Sequence, residues 1–176
     1  MPLAGGSGVV VRDATAADAG ALLAIYAPFV RDTPVSFELE PPTVEAFAGR
    51  IAHAQSKWAW LVAERDGRVA GYAYGSPFRE RAAYRFSVEV SAYLEPDSRG
   101  KGIGRSLYLA LFEILIAKGY CTVFAGITVP NSASMRFHRA LGFTEVGVFR
   151  RVGRKFGAWH DVSWWQRPLQ EHPPGE

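Results

Sequence analysis

The segment Arg99-Gly100-Lys101-Gly102-Ile103-Gly104-Arg105-Ser106 is a glycine-rich loop between a predicted strand and a predicted helix. Glycine lets backbone N–H groups come close to a ligand, and the start of a helix adds positive potential. The basic side chains of the segment increase that potential. The loop therefore predicts a cradle for a pyrophosphate group.

Several interpretations of this loop compete. A Walker loop requires Gly-Lys-Ser/Thr after a four-residue gap, and the segment lacks that pattern. A dinucleotide fingerprint that starts at Gly102 would need a third glycine where Leu107 stands and an acidic residue near Phe124. The pattern Arg-x-x-Gly-x-Gly is present in Arg99, Gly102 and Gly104. An ordinary strand–helix connection is the remaining alternative.

Residues 86–94, which precede the loop, alternate in hydropathy as a half-buried strand does. One face carries Phe86, Val88, Val90, Ala92 and Leu94, and the other carries Ser87, Glu89, Ser91 and Tyr93. After the loop, apolar residues with helical spacing predict a helix that Gly119 ends.

The other apolar patterns predict the element order β-α-α-β-β-β-α-β-α-β-β. Asp66-Gly67 between two apolar runs predicts a hairpin, and Asn131 is expected to cap a helix at 132–140. We expect Pro28 and Pro34 to end the first helix and to leave a loop at 31–42 that carries Phe37. Strict β-α alternation is missing, so the order predicts an α/β (α+β) domain with about four helices that flank a mixed, largely antiparallel sheet.

Composition limits the classes to which the chain can belong. Its 176 residues include 20 Lys and Arg, 17 Asp and Glu and one Cys, with a net charge of +3. This balance is typical of a globular domain and is too weak to indicate nucleic-acid binding by itself. The lone Cys121 excludes a disulfide framework, and no apolar run reaches the roughly 18–20 residues of a membrane helix. We expect a flexible leader at 1–8, a single domain at 9–170, a flexible tail at 171–176 and a cytoplasmic location.

Two motifs resemble the cofactor regions of the GNAT superfamily of N-acetyltransferases. They are Arg99-x-x-Gly102-x-Gly104, and Asn131-Ser-Ala-Ser134 with the segment 137–143 that follows it. Three other segments resemble the phosphinothricin / methionine sulfoximine N-acetyltransferases, namely 84–93, 125–127 and 155–161. The similarity extends from about Val11 to Gln166. It implies a GNAT-like fold, acetyl-CoA as co-substrate without a metal, and a homodimer.

The resemblance also implies which residues bind the two substrates. The implied acetyl-CoA contacts are Ala92, Tyr93, Leu94, Arg99, Gly100, Lys101, Gly102, Ile103, Gly104, Arg105, Ser106, Asn131 and Ser134. The implied acceptor contacts are Phe37, Arg79, Arg81, Tyr84, Glu89, Tyr93 and Val162. The implied reaction moves an acetyl group to the α-amine of a small amino acid such as phosphinothricin, methionine sulfoximine or methionine sulfone, by direct attack in a ternary complex.

Acetyl transfer from a thioester requires a base for the ammonium proton, donors that stabilise the oxyanion and an acid near the leaving thiolate. Glu89 is the candidate base, and the alternatives are a solvated glutamate on an edge strand or a salt bridge to Arg85. His138, one helical turn after Ser134, is the candidate acid, and a half-buried structural histidine is the alternative. Cys121 as an acyl-enzyme nucleophile is less favoured, since no histidine is near it in the sequence.

Arg79 and Arg81 precede the Glu89 strand, and such a basic loop suits a carboxylate or phosphinate. A solvated charged loop is the alternative. Arg85, Phe86 and Val90 depart from the commonest residues of the resembled family, which leaves the fine specificity open. His160 is expected to be structural, with Asp161 holding its ring, and the histidines show no metal-binding spacing.

Three other classes of function compete with this interpretation. One is a GNAT enzyme for a polyamine, a protein N-terminus or an aminoglycoside, although the Arg79 and Arg81 charges would repel cations. Another is a binding module, such as one for nucleic acid, because basic residues cluster near aromatic ones at Arg150, Arg151, Arg154 and Lys155. The third is an inactive acetyl-CoA sensor, against which the presence of Glu89 and His138 counts.

Overall fold

The computed structural model describes residues 3–5 and 8–175 and contains eight strands and four α-helices within them. The strands are Leu3–Gly5 (β1), Val9–Asp13 (β2), Trp60–Arg65 (β3), Arg68–Pro77 (β4), Ser87–Leu94 (β5), Thr122–Val129 (β6), Thr144–Lys155 (β7) and Ala158–Pro168 (β8). The helices are Ala19–Asp32 (α1), Val44–Lys57 (α2), Ile103–Ala117 (α3) and Ser132–Ala140 (α4). From β2 onward, this is the element order that the sequence predicts.

All the strands form one sheet in the order β1-β2-β3-β4-β5-β6-β8-β7. Within the described residues, β5 and β6 are the only parallel neighbours, and they pair only over Ser87–Glu89 and Thr122–Phe124. The other neighbouring strands are antiparallel. The structure confirms the predicted mixed, largely antiparallel sheet flanked by four helices.

Helices cover both faces of the centre of the sheet. On one face, the Tyr26 ring of α1 meets Tyr93 edge-on with centroids 4.9 Å apart, and Phe47 of α2 meets Trp60 at 5.4 Å. On the other face, α3 packs against the sheet. Leu94 follows Tyr93 on β5, so its side chain points to this second face, where it lies near Gly104 of α3. The central strand β3 is therefore buried on both sides along most of its length, as its unbroken apolar run predicts.

The first helix continues past Pro28 to Asp32, which corrects the expectation that Pro28 ends it. A proline inside a helix costs about 3 kcal/mol, because it removes a hydrogen bond and crowds the preceding turn. Val30, two residues later, is fully buried in the core. Burial of such a side chain contributes about 1.5–3 kcal/mol, which offsets most of the cost. The irregular segment after the helix therefore begins at Thr33.

Part of the predicted leader forms a strand, whereas the described part of the predicted tail forms neither helix nor strand. Leu3–Gly5 pairs with β2 and covers its open backbone edge, so these three residues form a strand within the predicted leader. Residues 1, 2, 6 and 7 of that leader lie outside the described residues. Residues 169–175 form neither helix nor strand, and Glu176 lies outside the described residues. Within residues 8–175, none of the helices combines the length and the hydropathy needed to span a bilayer.

Candidate active site

A cleft opens where β5 and β6 separate beyond their short paired region. Its walls are residues 90–93 of β5 and 125–128 of β6, and Tyr108 of α3 and His138 of α4 close one end. The cleft joins two larger cavities, because it shares lining residues with a cavity beside the glycine-rich loop and with a second cavity beside Glu89. The separation of two parallel strands thus places both predicted binding regions next to each other.

The cavity beside the glycine-rich loop collects most of the predicted acetyl-CoA contacts. They are Ala92, Tyr93, Leu94, Arg99, Gly100, Gly104, Asn131 and Ser134. Its lining also includes Tyr108, Ala133, Phe137 and His138, as well as Phe29, Thr33 and Val35, which the sequence did not indicate. The Arg99 guanidinium lies over the Phe29 ring, 5.4 Å from its centroid, which holds this cation at the cavity.

The other predicted contacts of the loop lie outside the lining of that cavity. Lys101, Gly102 and Arg105 are exposed. Ile103 is buried in the core, and the Ser106 hydroxyl donates to the Gly102 carbonyl at 3.3 Å. The side chains of Ile103 and Ser106 are thus engaged within the protein, and of these two residues only Ile103 has a backbone N–H that the helix ladder leaves open to a ligand.

The first turn of α3 has N–H groups without intrahelical partners. Gly102 is the N-cap in a left-handed conformation with a φ of 79°, and no side chain in the described residues caps the helix. Since the helix ladder begins with the bond from Ser106 N–H to the Gly102 carbonyl, the N–H groups of 103–105 precede it. A Cβ at Gly100 or Gly102 would meet no atom within 4 Å, so the backbone is open to a ligand there. This geometry matches the predicted anion cradle.

Gly104 meets a different requirement from the other glycines of the loop. A Cβ at this position would lie 3.1 Å from the Phe137 ring and 3.4 Å from the Leu94 side chain. The missing side chain therefore lets α3 pack closely against α4 and β5, so Gly104 serves helix packing as well as the approach of a ligand.

His138 is held in a fixed orientation on α4. The Asn131 side chain caps this helix by accepting from Ser134 N–H at 3.1 Å, as the sequence predicts. His138 Nδ1 lies 2.8 Å from the Ser134 carbonyl, which can only accept, so Nδ1 carries the proton. Nε2 lies 3.4 Å from the Tyr108 hydroxyl. Burial lowers the pKa of His138 below its ordinary 6.5, so the ring is neutral at pH 7 and Nε2 is an acceptor.

The cavity on the other side of the cleft has a volume of about 530 Å³. Five predicted acceptor contacts line it: Phe37, Arg79, Glu89, Tyr93 and Val162. Aromatic rings that the sequence did not indicate form much of the remaining wall, namely Tyr74, Phe78, Phe149 and Trp164. Such a wall excludes water and suits a small ligand with a few polar groups.

Glu89 is the carboxylate of this cavity. The alternation of β5 turns its side chain to the same face as Ser91 and Tyr93, which also line the cavity. Its carboxylate has no hydrogen-bond partner among the described residues. Burial raises the pKa of Glu89 above its ordinary 4.5, and the nearby charge of Arg79 opposes the rise. The result is a carboxylate with increased proton affinity, which a general base requires.

Arg81 and Tyr84 lie outside the lining of the Glu89 cavity, to which Arg79 belongs. They line an adjoining surface cleft with Phe78, Arg79 and Glu80. A 3₁₀ turn at Ala82–Tyr84 redirects the chain there, and the Tyr84 ring meets Phe78 edge-on at 5.8 Å. Among the three side chains predicted from this loop, only the Arg79 guanidinium is in the lining of the Glu89 cavity.

Comparisons with known proteins agree with this site, since residues 11–164 match the Acetyltransferase (GNAT) domain family. The chain belongs to the GNAT acetyltransferase family. The phosphinothricin N-acetyltransferase of Streptomyces viridochromogenes is 39% identical over 166 residues, which cover 94% of this chain and 91% of that protein. The L-methionine sulfoximine/L-methionine sulfone acetyltransferase of Salmonella typhimurium is 35% identical over 165 residues, which cover 93% and 96%.

A solved structure of a GNAT acetyltransferase also closely resembles this protein. The crystal structure of a GNAT phosphinothricin acetyltransferase from Sinorhizobium meliloti in complex with AcCoA is similar to this acetyltransferase with a TM-score of 0.89 and 38% identity, and the match covers 96% of this chain and 95% of that chain. The family and these relatives show that the protein is an acetyl-CoA-dependent N-acetyltransferase. The open cradle of α3, with Arg99 beside it, fits the pyrophosphate of this co-substrate.

Tyr108 is a site residue of the acetyltransferase that the sequence analysis missed. Its side chain is 1% exposed and lines both the cleft and the acetyl-CoA cavity. In the sequence it lies beside Leu107 and near Leu111 in an apolar helix, so it is indistinguishable there from a core residue. Only its position opposite His138 reveals the polar contact.

Other candidate residues lie away from the cleft. Cys121 is at the start of β6, where its Sγ lies 3.7 Å from the Gly119 carbonyl, and it lines neither cavity. The expected pairing of Asp161 with the ring of His160 is wrong. His160 Nε2 lies 3.0 Å from the Lys155 carbonyl, and Asp161 accepts from Arg151 N–H at 2.7 Å.

Proposed function

We propose that this acetyltransferase acetylates the α-amine of a small amino acid whose side chain ends in a polar, tetrahedral group. Phosphinothricin, methionine sulfoximine and methionine sulfone are such acceptors. The observation that carries the proposal is the pair of Glu89 and Arg79 in one aromatic-walled cavity, across the cleft from the glycine-rich loop. Relatives named for these acceptors support the same class.

Glu89 and Arg79 have separate roles in this reaction. Bound acetyl-CoA supplies an activated thioester, so the protein must prepare the amine and position it. Glu89 accepts the ammonium proton, and its raised pKa brings its proton affinity closer to that of the amine. Arg79 binds the anionic or polar end of the acceptor by a charge-assisted hydrogen bond. The energy of that remote contact positions the amine for attack.

On the other side of the cleft, we assign assistance to the leaving thiolate to Tyr108 together with His138. Burial raises the pKa of Tyr108, so its hydroxyl keeps the proton and can donate it as a hydrogen bond. Without a thiolate that proton points to His138 Nε2, 3.4 Å away, which can only accept, and the hydroxyl turns its single proton from Nε2 to the sulfur as the thiolate leaves. A thiol has an ordinary pKa of about 8.5, so a hydrogen bond from a neutral group is sufficient to stabilise its departure.

The proposed acceptor class is tested by measuring CoA release from acetyl-CoA with a panel of amines. We expect turnover with phosphinothricin, methionine sulfoximine and methionine sulfone, and much lower kcat/KM with spermidine, an aminoglycoside and an arylamine. Acetylation of a polyamine or arylamine far better than methionine sulfone would refute the acceptor class. Acetyl-CoA binding without turnover of any amine would favour a sensor.

We also propose that the protein is a homodimer that uses the β7–β8 hairpin. Apolar side chains on this hairpin are 47–60% exposed: Val146, Phe149, Val152, Phe156 and Trp159. A cluster of this kind on a small protein is typical of an interface. Sedimentation equilibrium should give twice the chain mass, and Trp159→Arg should shift the distribution toward the monomer.

We place this enzyme in the cytoplasm without a nucleic-acid partner. The free thiol of Cys121 suits a reducing compartment. The basic cluster of β7 is not a continuous charged surface, because Lys155 is buried and Arg150 pairs with Asp161 at 3.1 Å. Titration with labelled duplex DNA or RNA at physiological salt should therefore give no saturable binding.

A further inference from the structure

Lys155, near the end of β7, is a buried cation without a carboxylate partner among the described residues. It is 4% exposed, and its ammonium donates to three backbone carbonyls. They belong to Val30 at 2.6 Å, Thr33 at 2.9 Å and Ser36 at 2.7 Å. These bonds use all the donors of the ammonium group and connect β7 to the end of α1 and the segment that follows.

Gly153, two residues earlier on β7, contacts the same segment in another way. A Cβ at Gly153 would lie 2.2 Å from the nearest carbon of the Phe37 ring and within 2.6 Å of two others. Real Cβ atoms do not approach other atoms so closely, so the ring packs directly on the bare backbone of Gly153. Residues two apart on a strand point to the same side, which explains why both contacts fall on one segment.

The segment that both residues hold is the outer wall of the acceptor cavity. We call residues 33–37 the wall loop. It contains neither helix nor strand, and Val35, Ser36 and Phe37 line the cavity that contains Glu89. Its backbone has no ladder of its own to fix it, so its position depends on contacts with other elements. The Tyr26 hydroxyl, 2.7 Å from the Ser36 hydroxyl, adds one such contact from α1.

We infer that Gly153 and Lys155 are positioning residues that hold the wall loop at the acceptor site and thereby determine which acceptors fit. The inference rests on the proposed function, since it needs the acceptor to bind in the Glu89 cavity. Neither residue lines that cavity, so both act through Phe37 and the wall-loop backbone. Ser36 and Phe37 line only the acceptor cavity, whereas Thr33 and Val35 line the acetyl-CoA cavity, so the consequence is an effect on acceptor binding that exceeds the effect on acetyl-CoA binding. A merely structural role would affect both substrates equally.

The first test uses the steric contact. In Gly153→Ala the new methyl group must displace the Phe37 ring, and the backbone of residue 153 can accommodate alanine because its φ lies outside the left-handed region. We expect the KM for methionine sulfone to rise about tenfold, since a shift of about 1 Å in a positioning group can cost as much as 10²-fold. The KM for acetyl-CoA should be unchanged. In a Phe37→Ala background, Gly153→Ala should have no further effect.

The second test uses the buried ammonium. Lys155→Met keeps most of the side-chain volume and removes the three donors. Arg154→Met is the matched control, because Arg154 is the exposed neighbour on the same strand. We expect Lys155→Met to raise the acceptor KM more than the acetyl-CoA KM and to speed amide hydrogen exchange in a peptide that contains the wall loop. Arg154→Met should change neither quantity.

Each outcome decides the inference. Unchanged wall-loop exchange in Lys155→Met, or equal increases in both KM values, would overturn it, and so would an effect of Gly153→Ala that persists without the Phe37 ring. If Lys155→Met fails to fold, Gly153→Ala and its Phe37→Ala background decide alone. If the wild type acetylates no amino acid, the proposed function fails, and the exchange measurement still shows whether Lys155 holds the wall loop.

Discussion

Replacing Glu89 with Gln removes the proposed base and keeps the volume of the side chain. The site offers no substitute, because Glu89 is the only carboxylate among the residues that line the acceptor cavity. A positioned general base typically contributes about 10²–10⁴ in rate. We therefore expect Glu89→Gln to lower kcat/KM at pH 7 by about that factor, or roughly 3–5 kcal/mol of barrier.

The pH dependence of the two proteins should differ in shape. The wild type needs Glu89 ionised, so its kcat/KM should fall as the pH drops through the raised pKa of this carboxyl, which lies above 4.5. Above that pH the wild-type value should be level until the amine itself loses its proton. In Glu89→Gln only amine that is already deprotonated reacts, so kcat/KM should rise about tenfold per pH unit up to the pKa of the amine.

The assay is CoA release with methionine sulfone, followed from pH 5 to pH 10 with a thiol reagent or, at the acidic end, by product chromatography. Glu80→Gln is the matched control, because Glu80 is an exposed carboxylate on the neighbouring loop. It should behave as the wild type at every pH. Turnover of Glu89→Gln within a few-fold of wild type at pH 7, or a loss that does not shrink at alkaline pH, would refute Glu89 as the base.

Three other variants test the rest of the site. Gly102→Val should weaken acetyl-CoA binding in calorimetry, because a left-handed φ of 79° costs a branched residue about 1–2 kcal/mol and the side chain would project from the open cradle. Unchanged affinity in a folded variant would contradict this. Arg79→Ala should raise the KM for methionine sulfone roughly ten- to a hundredfold, as loss of a charge-assisted bond of about 1.5–3 kcal/mol does, and Arg81→Ala should raise it much less. Equal effects would place the anion outside the Glu89 cavity. Tyr108→Phe and His138→Asn should each lower kcat, and the double variant should be no slower than the slower single variant, because the two side chains act as a unit. Additive losses in kcat would separate their roles.

Features that depend on local geometry could be predicted from the sequence. The period of two in residues 86–94 places Glu89, Ser91 and Tyr93 on one face, and the structure has them in one cavity. The glycine-rich loop likewise predicts that a helix follows it, and α3 begins within that loop at Ile103, after a left-handed glycine N-cap. Each of these signals lies within a few residues of the feature it predicts.

Features that depend on packing between distant elements could not be predicted in this way. The cleft exists because β5 and β6 pair over only three residues each, and nothing in either strand marks where the pairing ends. Tyr108 becomes a site residue only because α4 brings His138 to its hydroxyl. Arg79 and Arg81 are equivalent in the sequence, and only the turn after Arg81 separates them.

The hairpin strand β7 shows most clearly how hydropathy can mislead about which face is buried. Its even-numbered residues include Val146, Val148 and Val152, so the pattern alone favours this face toward the core. The structure leaves Val146 60% and Val152 50% exposed and buries Lys155, which has one positive charge and three carbonyl partners. Three hydrogen bonds from the ammonium offset the free-energy cost of its desolvation. A hydropathy scale does not include the contribution of such bonds. An apolar face that is turned to solvent is costly in a monomer. The inward orientation of Lys155, which lets it hold the wall loop, therefore leaves an apolar surface that suits contact with a second subunit.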